Sequence, residues 1–136
     1  MVSEYMKTIY YNVLSEEKKG GLSQICQRLG IELVPIGSDC LNIRLIDLIA
    51  RRFGELNSKM GNKEKANGAV QAPLLYNLPE FIIFNGFDDS SLEEFLTAYK
   101  FTGLPRVQLK AVVTPYNITW TLYELLEHLK EESMRR

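Results

Sequence analysis

Strand-like and helix-like segments alternate from the start of the chain. Residues 7–13 are rich in β-forming side chains and predict a strand, and Ser15 with the two acids after it is suited to begin a helix. Gly30 is a typical helix stop. The apolar positions between these ends are Leu22, Ile25, Cys26 and Leu29. Their spacing predicts a helix with one buried face, although Gly20 and Gly21 each lower its intrinsic stability by about 1 kcal/mol.

A second strand and a second helix complete a βαβα unit. Residues 32–36 predict a short strand, and Pro35 near its end favours an edge position in the sheet. Residues 41–53 predict a helix, which Gly54 ends. The expected apolar stripe of this helix is Ile46, Ile49, Ala50 and Phe53. The first unit therefore spans residues 1–54.

Residues 55–79 interrupt this order. The segment is polar over most of its length and has no apolar periodicity, so it predicts a linker or loop between two units. A cluster of basic side chains overlaps it and comprises Arg51, Arg52, Lys59, Lys63 and Lys65. This cluster is a candidate for phosphate contact, but it lacks interleaved aromatic residues, and a solvated loop is the simpler interpretation.

The second unit, residues 80–136, repeats the order of the first. Its predicted elements are a strand at residues 80–84, a helix that ends at Gly103, a strand at residues 107–113 and a helix at about residues 118–132. Glu93 and Glu94 stand three residues after Ser90 and Ser91, which predicts a capping box at the first helix. The predicted stripes are Leu92, Phe95, Leu96 and Tyr99 in the first helix, and Leu122, Leu125, Leu126 and Leu129 in the last. Thr121 and Glu124 are suited to form a further capping box.

The repeated order predicts one α/β domain over residues 1–136, a small four-stranded sheet with helices built from two βαβα units in internal pseudo-symmetry. The first strands of the two halves align at an offset of 73 positions, the first helices at 70 and the second helices at 76. Each strand-helix-strand connection favours a right-handed parallel pairing. The order of the strands in the sheet is left open.

Composition narrows the class of protein without naming a function. The 136 residues include 46% hydrophobic and 24% charged side chains, which is typical of a globular domain. A formal net charge of -1 gives no overall attraction to nucleic acid or to an anionic membrane, and no apolar run has the length of a membrane span. No signal peptide is recognised, so we expect a cytoplasmic protein. A single histidine excludes a multi-histidine metal site.

The stretch from Lys110 to Leu122 is the most distinctive, because it leads from a strand through a turn into a helix. Ligands commonly bind beyond the carboxyl ends of strands in α/β sheets, where free helix N–H groups attract anions. The candidate binding residues are Lys110, Thr114, Pro115, Tyr116, Asn117 and Trp120. The structural alternative is that Thr114 and Asn117 only shape the turn and that Trp120 only covers the core.

Residues 110–115, Asn117 and residues 120–122 form a recognisable signature, to which Gly86 and Phe87 add. On these residues, the chain from about Pro79 to Leu129 resembles an uncharacterised bacterial family, domain of unknown function 3783. The positions without a match are Tyr116, Ile118 and Thr119. The resemblance implies no activity, because none is established for the family.

The two cysteines offer little reactive chemistry. Cys40 precedes a predicted helix, where a thiolate is favoured, but a reactive thiol needs a base. The only histidine, His128, lies on the last helix with no sequence argument for proximity. Cys26 lies in an apolar helix stripe, so no disulfide is expected between such unlike positions.

Two hypotheses of function follow. The first is a noncatalytic ligand-binding or protein-interaction module that uses the turn from Thr114 to Trp120. The alternative is a small cytoplasmic enzyme that uses Lys110 or Cys40 in a cleft. Neither hypothesis requires a metal or a cofactor, no membrane partner is expected, and nucleic acid is not favoured as a partner. Self-association is left open, because small sheets have edges to cover.

Overall fold

The computed structural model describes residues 7–53 and 70–134, and it confirms the predicted α/β fold. The elements in chain order are β1 (Thr8–Asn12), α1 (Glu16–Leu29), β2 (Glu32–Pro35), α2 (Leu45–Phe53), β3 (Phe81–Asn85), α3 (Asp89–Phe101), β4 (Leu109–Val112) and α4 (Leu122–Met134). A short 3₁₀ helix at Ser38–Cys40 lies between β2 and α2. None of the helices in this part of the chain is long and apolar enough to cross a membrane. Most of the predicted linker, and the side chains of its basic cluster, lie outside the described residues.

The chain divides into two compact units, and each draws on both halves of the sequence. The first joins Met1–Ile36 to Pro79–Val112 and contains the sheet with α1 and α3. The second joins Gly37–Leu78 to Val113–Arg136 and contains the 3₁₀ helix, α2 and α4. Each half of the sequence therefore contributes a strand-helix-strand segment to the first unit and a helix to the second.

The sheet in the first unit has the strand order β2-β1-β3-β4. β1 pairs with β2, and β3 with β4, in parallel, as the connections predict. β1 and β3 pair antiparallel, with Tyr10 opposite Ile83, so the sheet is mixed. Pro35 lies in the edge strand β2, as expected. Because Ile36 donates its N–H to Tyr11 and successive backbone groups alternate in direction, the nitrogen of Pro35 faces away from β1.

In each parallel ladder, the first residue of one strand pairs with the first residue of the other strand. Thr8 pairs with Glu32 in the first ladder, and Phe81 pairs with Leu109 in the second. Phe81 lies 73 positions after Thr8, and Leu109 lies 77 positions after Glu32. A repeated βαβα unit would produce such a match, but internal pseudo-symmetry itself stays a prediction.

The ends of α1 and α3 are set by local side chains. The Ser15 hydroxyl accepts two backbone N–H groups at the start of α1. At α3, Asp88 accepts the Ser91 N–H and the Ser91 hydroxyl accepts the Asp88 N–H, so the capping box uses this pair rather than a serine and a glutamate. Gly30 and Gly103 have positive φ angles of 74° and 75°. Caps and glycines are both 73 positions apart, whereas the predicted offset between the apolar stripes of the two helices is 70.

The core of the first unit lies between α1, α3 and one face of the sheet. Its buried members are Ile9, Val13, Leu22, Ile25, Cys26, Ile31, Ile82, Phe84, Phe95, Tyr99 and Val107. Leu96 departs from the predicted stripe and is 37% exposed. Gly21 belongs to a close contact, because a Cβ atom there would lie 2.6 Å from Cδ1 of Leu104. The glycine that weakens α1 locally thus admits a tight approach of Leu104.

The second unit begins α4 with the predicted capping box. The Thr121 N–H donates to Oε1 of Glu124 over 2.9 Å, and the Glu124 N–H donates to Oγ1 of Thr121 over 3.1 Å. The predicted apolar stripe is confirmed for Leu122, Leu125 and Leu126, which are buried. The helix starts later than the predicted residue 118, because the box lies at Thr121.

A short antiparallel bridge joins the segments that precede α2 and α4. Arg44 lies opposite Thr121. The Leu45 N–H donates to the Trp120 carbonyl over 2.8 Å, and the Leu122 N–H donates to the carbonyl of residue 43 over 3.0 Å. These bonds hold residues 43 and 44 outside the helix, so α2 starts at Leu45 instead of residue 41.

The buried face of α2 differs from the prediction. Leu45 and Leu48 are buried, at 2% and 6% exposure, whereas Ile46 is 43% exposed and Ala50 is also exposed. The predicted stripe is therefore wrong at Ile46 and Ala50, because the inward face contains Leu45, whose backbone is held by the Trp120 carbonyl, and Leu48 one turn later. The side chain of Phe53 lies outside the described residues.

Residues 70–78 contact α4 through Tyr76. The Tyr76 ring meets Tyr123 edge-on at 5.1 Å between centroids, and its hydroxyl donates to Oε2 of Glu127 over 2.7 Å. Lys130 donates to the Tyr76 hydroxyl and to Glu127. Burial and the hydrogen bond to Glu127 raise the pKa of Tyr76. The end of the predicted linker is thus bound to α4 by both apolar and polar contacts.

Candidate functional site

The turn that leads into α4 is closed by reciprocal hydrogen bonds between Thr114 and Asn117. Oδ1 of Asn117 accepts the Thr114 N–H over 2.9 Å, and Oγ1 of Thr114 accepts the N–H groups of Tyr116 and Asn117 over 3.1 and 3.2 Å. Asn117 is 9% exposed, and its carbonyl accepts the Trp120 N–H. Both polar side chains therefore shape the turn, as the structural alternative proposes.

An aromatic cluster, formed by Tyr116, Trp120 and His128, lies at the surface beside this turn. The centroids of Tyr116 and Trp120 are 5.6 Å apart with an interplanar angle of 65°. Trp120 stacks on His128, with centroids 4.2 Å apart and an angle of 18°. Tyr116 is 81% exposed, His128 is exposed and Trp120 is half-buried. Trp120 does not simply cover the core, because it is only half-buried and its ring contacts the exposed residues Tyr116 and His128.

Sequence reasoning gave His128 no role and did not find this cluster. The available signal was spacing, since His128 follows Trp120 by about two helical turns. That signal was weak, because Trp120 precedes the first residue of α4, Leu122. Contact across such a junction depends on the direction of the chain as it enters the helix, which the sequence does not specify.

The backbone below the aromatic cluster is fixed by α2 and its approach. The Trp120 carbonyl accepts the Leu45 N–H, and the Ile118 carbonyl accepts the Ile46 N–H, each over 2.8 Å. The guanidinium of Arg44 donates to the Thr119 carbonyl. Since three successive carbonyls are bound in this way, the turn presents its aromatic side chains from a defined backbone.

The predicted site residues fall in both compact units. All the predicted turn residues belong to the second unit. Among them, Pro115 is exposed. Lys110 belongs to β4 of the first unit, where its ammonium group donates to the Val107 carbonyl over 3.0 Å. Burial, and secondarily the charge of Arg106, lower the pKa of Lys110. Lys110 therefore belongs to the first unit, which contains the sheet, whereas the other predicted site residues belong to the second.

Lys110 borders a cavity of about 550 Å³ in the first unit, which sequence analysis did not predict. Apolar and aromatic walls come from Ile82, Phe95, Leu96, Tyr99, Leu104 and Val107. Lys100 and Arg106 complete its charged border. The lining is spread over β3, α3, the turn after α3 and β4, so no contiguous motif marks it.

Neither cysteine resembles an activated thiol. Cys40 is 7% exposed in the 3₁₀ helix, and Cys26 is 2% exposed on α1. Neither of these two cysteines forms a disulfide, and burial raises the pKa of Cys26 to about 12. Within residues 7–53 and 70–134, no group of three or more histidine, cysteine, aspartate or glutamate side chains is arranged to hold a metal ion.

One comparison with known proteins gave a match, and it lies in the second half of the chain. No curated protein and no solved structure shows significant similarity to the chain. The resemblance expected over about Pro79 to Leu129 is confirmed, with wider bounds. Residues 80–135, which include β3, α3, β4, the turn and α4, match the model of a family described as a domain of unknown function, DUF3783.

Proposed function

We propose that the protein is a noncatalytic interaction module that binds a protein partner through the turn from Thr114 to Trp120 and the aromatic cluster. The observation that carries this proposal is the position of Tyr116, which is 81% exposed while its ring rests against Trp120. An aromatic side chain held in this way offers apolar area to a partner. Tyrosine and tryptophan are the residue types enriched at binding hot spots.

The fixed geometry of the turn supports this proposal. The hydrogen bonds between Thr114 and Asn117, and the backbone bonds to α2, define the turn before any partner binds. Stacking on His128 restricts the orientation of the Trp120 indole. A surface organised in advance loses less conformational entropy on association, so a larger share of its contact energy contributes to affinity.

Site-specific photo-crosslinking in cells tests the surface directly. A photoreactive phenylalanine analogue replaces Tyr116 in one variant and Phe101 in the other. Phe101 is a matched control, since it is an aromatic residue with 85% exposure in the first unit. We expect a distinct crosslinked protein at position 116 and none at position 101. Identical crosslinks at the two positions would show nonspecific contact.

Affinity measurements with the crosslinked protein, once purified, complete the test. We expect Tyr116→Ala and Trp120→Ala each to weaken binding by about tenfold or more, as truncation of a hot-spot aromatic side chain does. Phe101→Ala serves as the control and should leave the affinity unchanged. Wild-type affinity in both cluster variants would refute the proposed surface.

A small-molecule occupant predicts a different result. Trp120 is the only tryptophan, so its fluorescence reports directly on the aromatic cluster. A metabolite that shifts this emission saturably in the wild-type protein, but not in Tyr116→Ala, would identify a small ligand in place of a protein partner. The expectation from our proposal is that such a screen gives no saturable response.

A second candidate function is catalysis by Lys110. Its favouring observation is the lowered pKa of the Lys110 ammonium group, caused first by burial beside the cavity. Lysines of lowered pKa are suited to nucleophilic chemistry. The control is Lys130, whose pKa is raised by its hydrogen bonds to Tyr76 and Glu127. Catalysis requires faster amine labelling of Lys110 than of Lys130 at neutral pH, and equal rates would remove its support.

We also propose that the protein acts in the cytoplasm. Cys26 and Cys40 do not form a disulfide, which accords with a reducing compartment. Fractionation of cells with an antibody to the native protein tests this location. Recovery of the protein outside the cytoplasmic fraction would contradict it.

A further inference from the structure

The cavity beside β4 combines apolar walls with a basic border. Among its apolar lining side chains, Leu96 is 37% exposed and Leu104 is half-buried, whereas Ile82, Phe95 and Val107 are each only 1% exposed. Leu96 and Leu104 therefore supply its accessible apolar surface. Its volume of about 550 Å³ lies within the range of small-molecule sites. The cavity belongs wholly to the first unit, so it is separate from the turn proposed above as a contact surface.

Three cations lie along the border of this cavity. Lys100 lies in the last turn of α3, Arg106 lies in the segment between α3 and β4, and Lys110 belongs to β4. Neither Lys100 nor Arg106 forms an ion pair with a carboxylate among the described residues. The Lys110 ammonium group donates to the uncharged Val107 carbonyl and forms no ion pair with a carboxylate of the described residues.

None of the described residues that line the cavity has an acidic side chain. Burial raises the pKa of Tyr99, which lines the cavity, and the charges of Lys18 and Glu80 act on this pKa in opposite directions. The Glu80 carboxylate is bound by the Lys18 ammonium at 2.7 Å. The cavity therefore has an excess of positive charge beside a largely apolar volume, an arrangement complementary to an anion that carries an apolar body.

We propose that this cavity binds a small organic carboxylate, with the apolar part of the ligand against Leu96 and Leu104 and the carboxylate group at Arg106 and Lys110. A guanidinium beside an ammonium group suits a carboxylate, because each supplies charge-assisted hydrogen bonds. The backbone carbonyl of Val107 occupies one of the three donors of Lys110, so two remain for a ligand.

Nuclear magnetic resonance titration of the full chain tests this site with three probes. 4-Phenylbutyrate has both the ring and the carboxylate, 4-phenylbutan-1-ol has the ring alone, and acetate has the carboxylate alone. We expect 4-phenylbutyrate to shift the backbone amide signals of Gly103, Val107 and Lys110 saturably. The alcohol and acetate should each bind about tenfold more weakly, because each lacks one of the two interactions.

Charge-removing variants locate the carboxylate. Arg106→Gln and Lys110→Gln should each weaken the binding of 4-phenylbutyrate by about tenfold and leave the affinity for the alcohol unchanged. Arg28→Gln is the matched control, since Arg28 is an exposed base on α1 away from the cavity lining, and it should bind like the wild-type protein. Because Arg106 is exposed, its variant tests the proposal even where Lys110→Gln fails to fold.

Three results would overturn the proposal. The first is the lack of a saturable shift at the cavity amides with 4-phenylbutyrate. The second is equal affinity for the acid and the alcohol, which would show apolar binding without recognition of the anion. The third is equal weakening by Arg106→Gln and Arg28→Gln, which would show a general effect of net charge.

Discussion

The indole of Trp120 lies nearly parallel to the imidazole of His128, with the two ring centroids 4.2 Å apart. This stack joins the turn before α4 to the helix itself, because Trp120 precedes Leu122 and His128 lies within the helix. It also gives the only tryptophan of the chain a defined neighbour. The environment of that indole is therefore a direct measure of whether the turn and the helix keep their arrangement.

Replacement of His128 by alanine should change the emission of Trp120 and lower the free energy of unfolding by about 0.5 kcal/mol, the lower end of the range for aromatic pairs. Fluorescence spectra and urea denaturation measure the two effects. Glu132→Ala, at an exposed position of the same helix, is the control and should alter neither. An unchanged emission spectrum in His128→Ala would contradict the observed stack.

Asn117→Ala should lower the free energy of unfolding by about 1–2 kcal/mol, because it removes the acceptor of the Thr114 N–H in a turn where Asn117 is 9% exposed. Asn117→Asp retains an oxygen acceptor and should lose less stability. Urea denaturation of the two variants compares them. Equal stability losses would show that the hydrogen bond does not stabilise the turn.

Glu80→Gln should lower the free energy of unfolding by about 1 kcal/mol at pH 7. Burial alone would raise the pKa of Glu80, but bonds from the Leu14 N–H and the Lys18 ammonium outweigh it and lower the pKa. The ionised carboxylate therefore stabilises the fold fully above the unfolded-state pKa of about 4.3, and this contribution is lost as pH falls through the folded-state pKa.

Denaturation at several pH values measures the contribution of Glu80, and the difference between the wild-type protein and Glu80→Gln should shrink in acid. Glu16→Gln is the control. Its side chain is 89% exposed and lies 3.4 Å from Lys19, so it should change stability by at most about 0.5 kcal/mol. A difference for Glu80→Gln that is constant with pH would refute the assigned role of the charge.

The adjacent glycines of α1 should respond oppositely to alanine. Gly20→Ala should raise the free energy of unfolding by about 0.5–1 kcal/mol, because alanine favours the helix and a Cβ atom there meets nothing within 4 Å. Gly21→Ala should lower it, because the new Cβ would lie 2.6 Å from Cδ1 of Leu104 and force that side chain to move. Denaturation curves decide the signs, and stabilisation by both substitutions would exclude the close packing.

Local signals in the sequence predicted most of the secondary structure. Ser15 and Gly30 mark the ends of α1, and Thr121 with Glu124 marks the start of α4, since caps act within a few residues. The parallel pairings followed from the short connections. The antiparallel pairing of the two central strands did not, because it joins segments more than 60 positions apart.

Tertiary contacts account for what the sequence did not predict. The bridge between Arg44 and Thr121 delays the start of α2 and changes its buried face, and no local pattern near Arg44 reveals its distant partner. The aromatic cluster depends in the same way on how the turn enters α4. The cavity near Lys110 is a space between packed side chains, so it has no motif of its own.

The central pairing of β1 with β3 has a consequence for synthesis of the chain on the ribosome. Tyr10 finds its cross-strand neighbour Ile83 only after the ribosome has translated a further 73 codons. Until then, β1 can pair with β2 on one side while its other edge, with the apolar residue Ile9, is unprotected. A nascent chain that stalls before residue 81 therefore carries an open strand edge, a recognition feature for chaperones and a starting point for association between nascent chains.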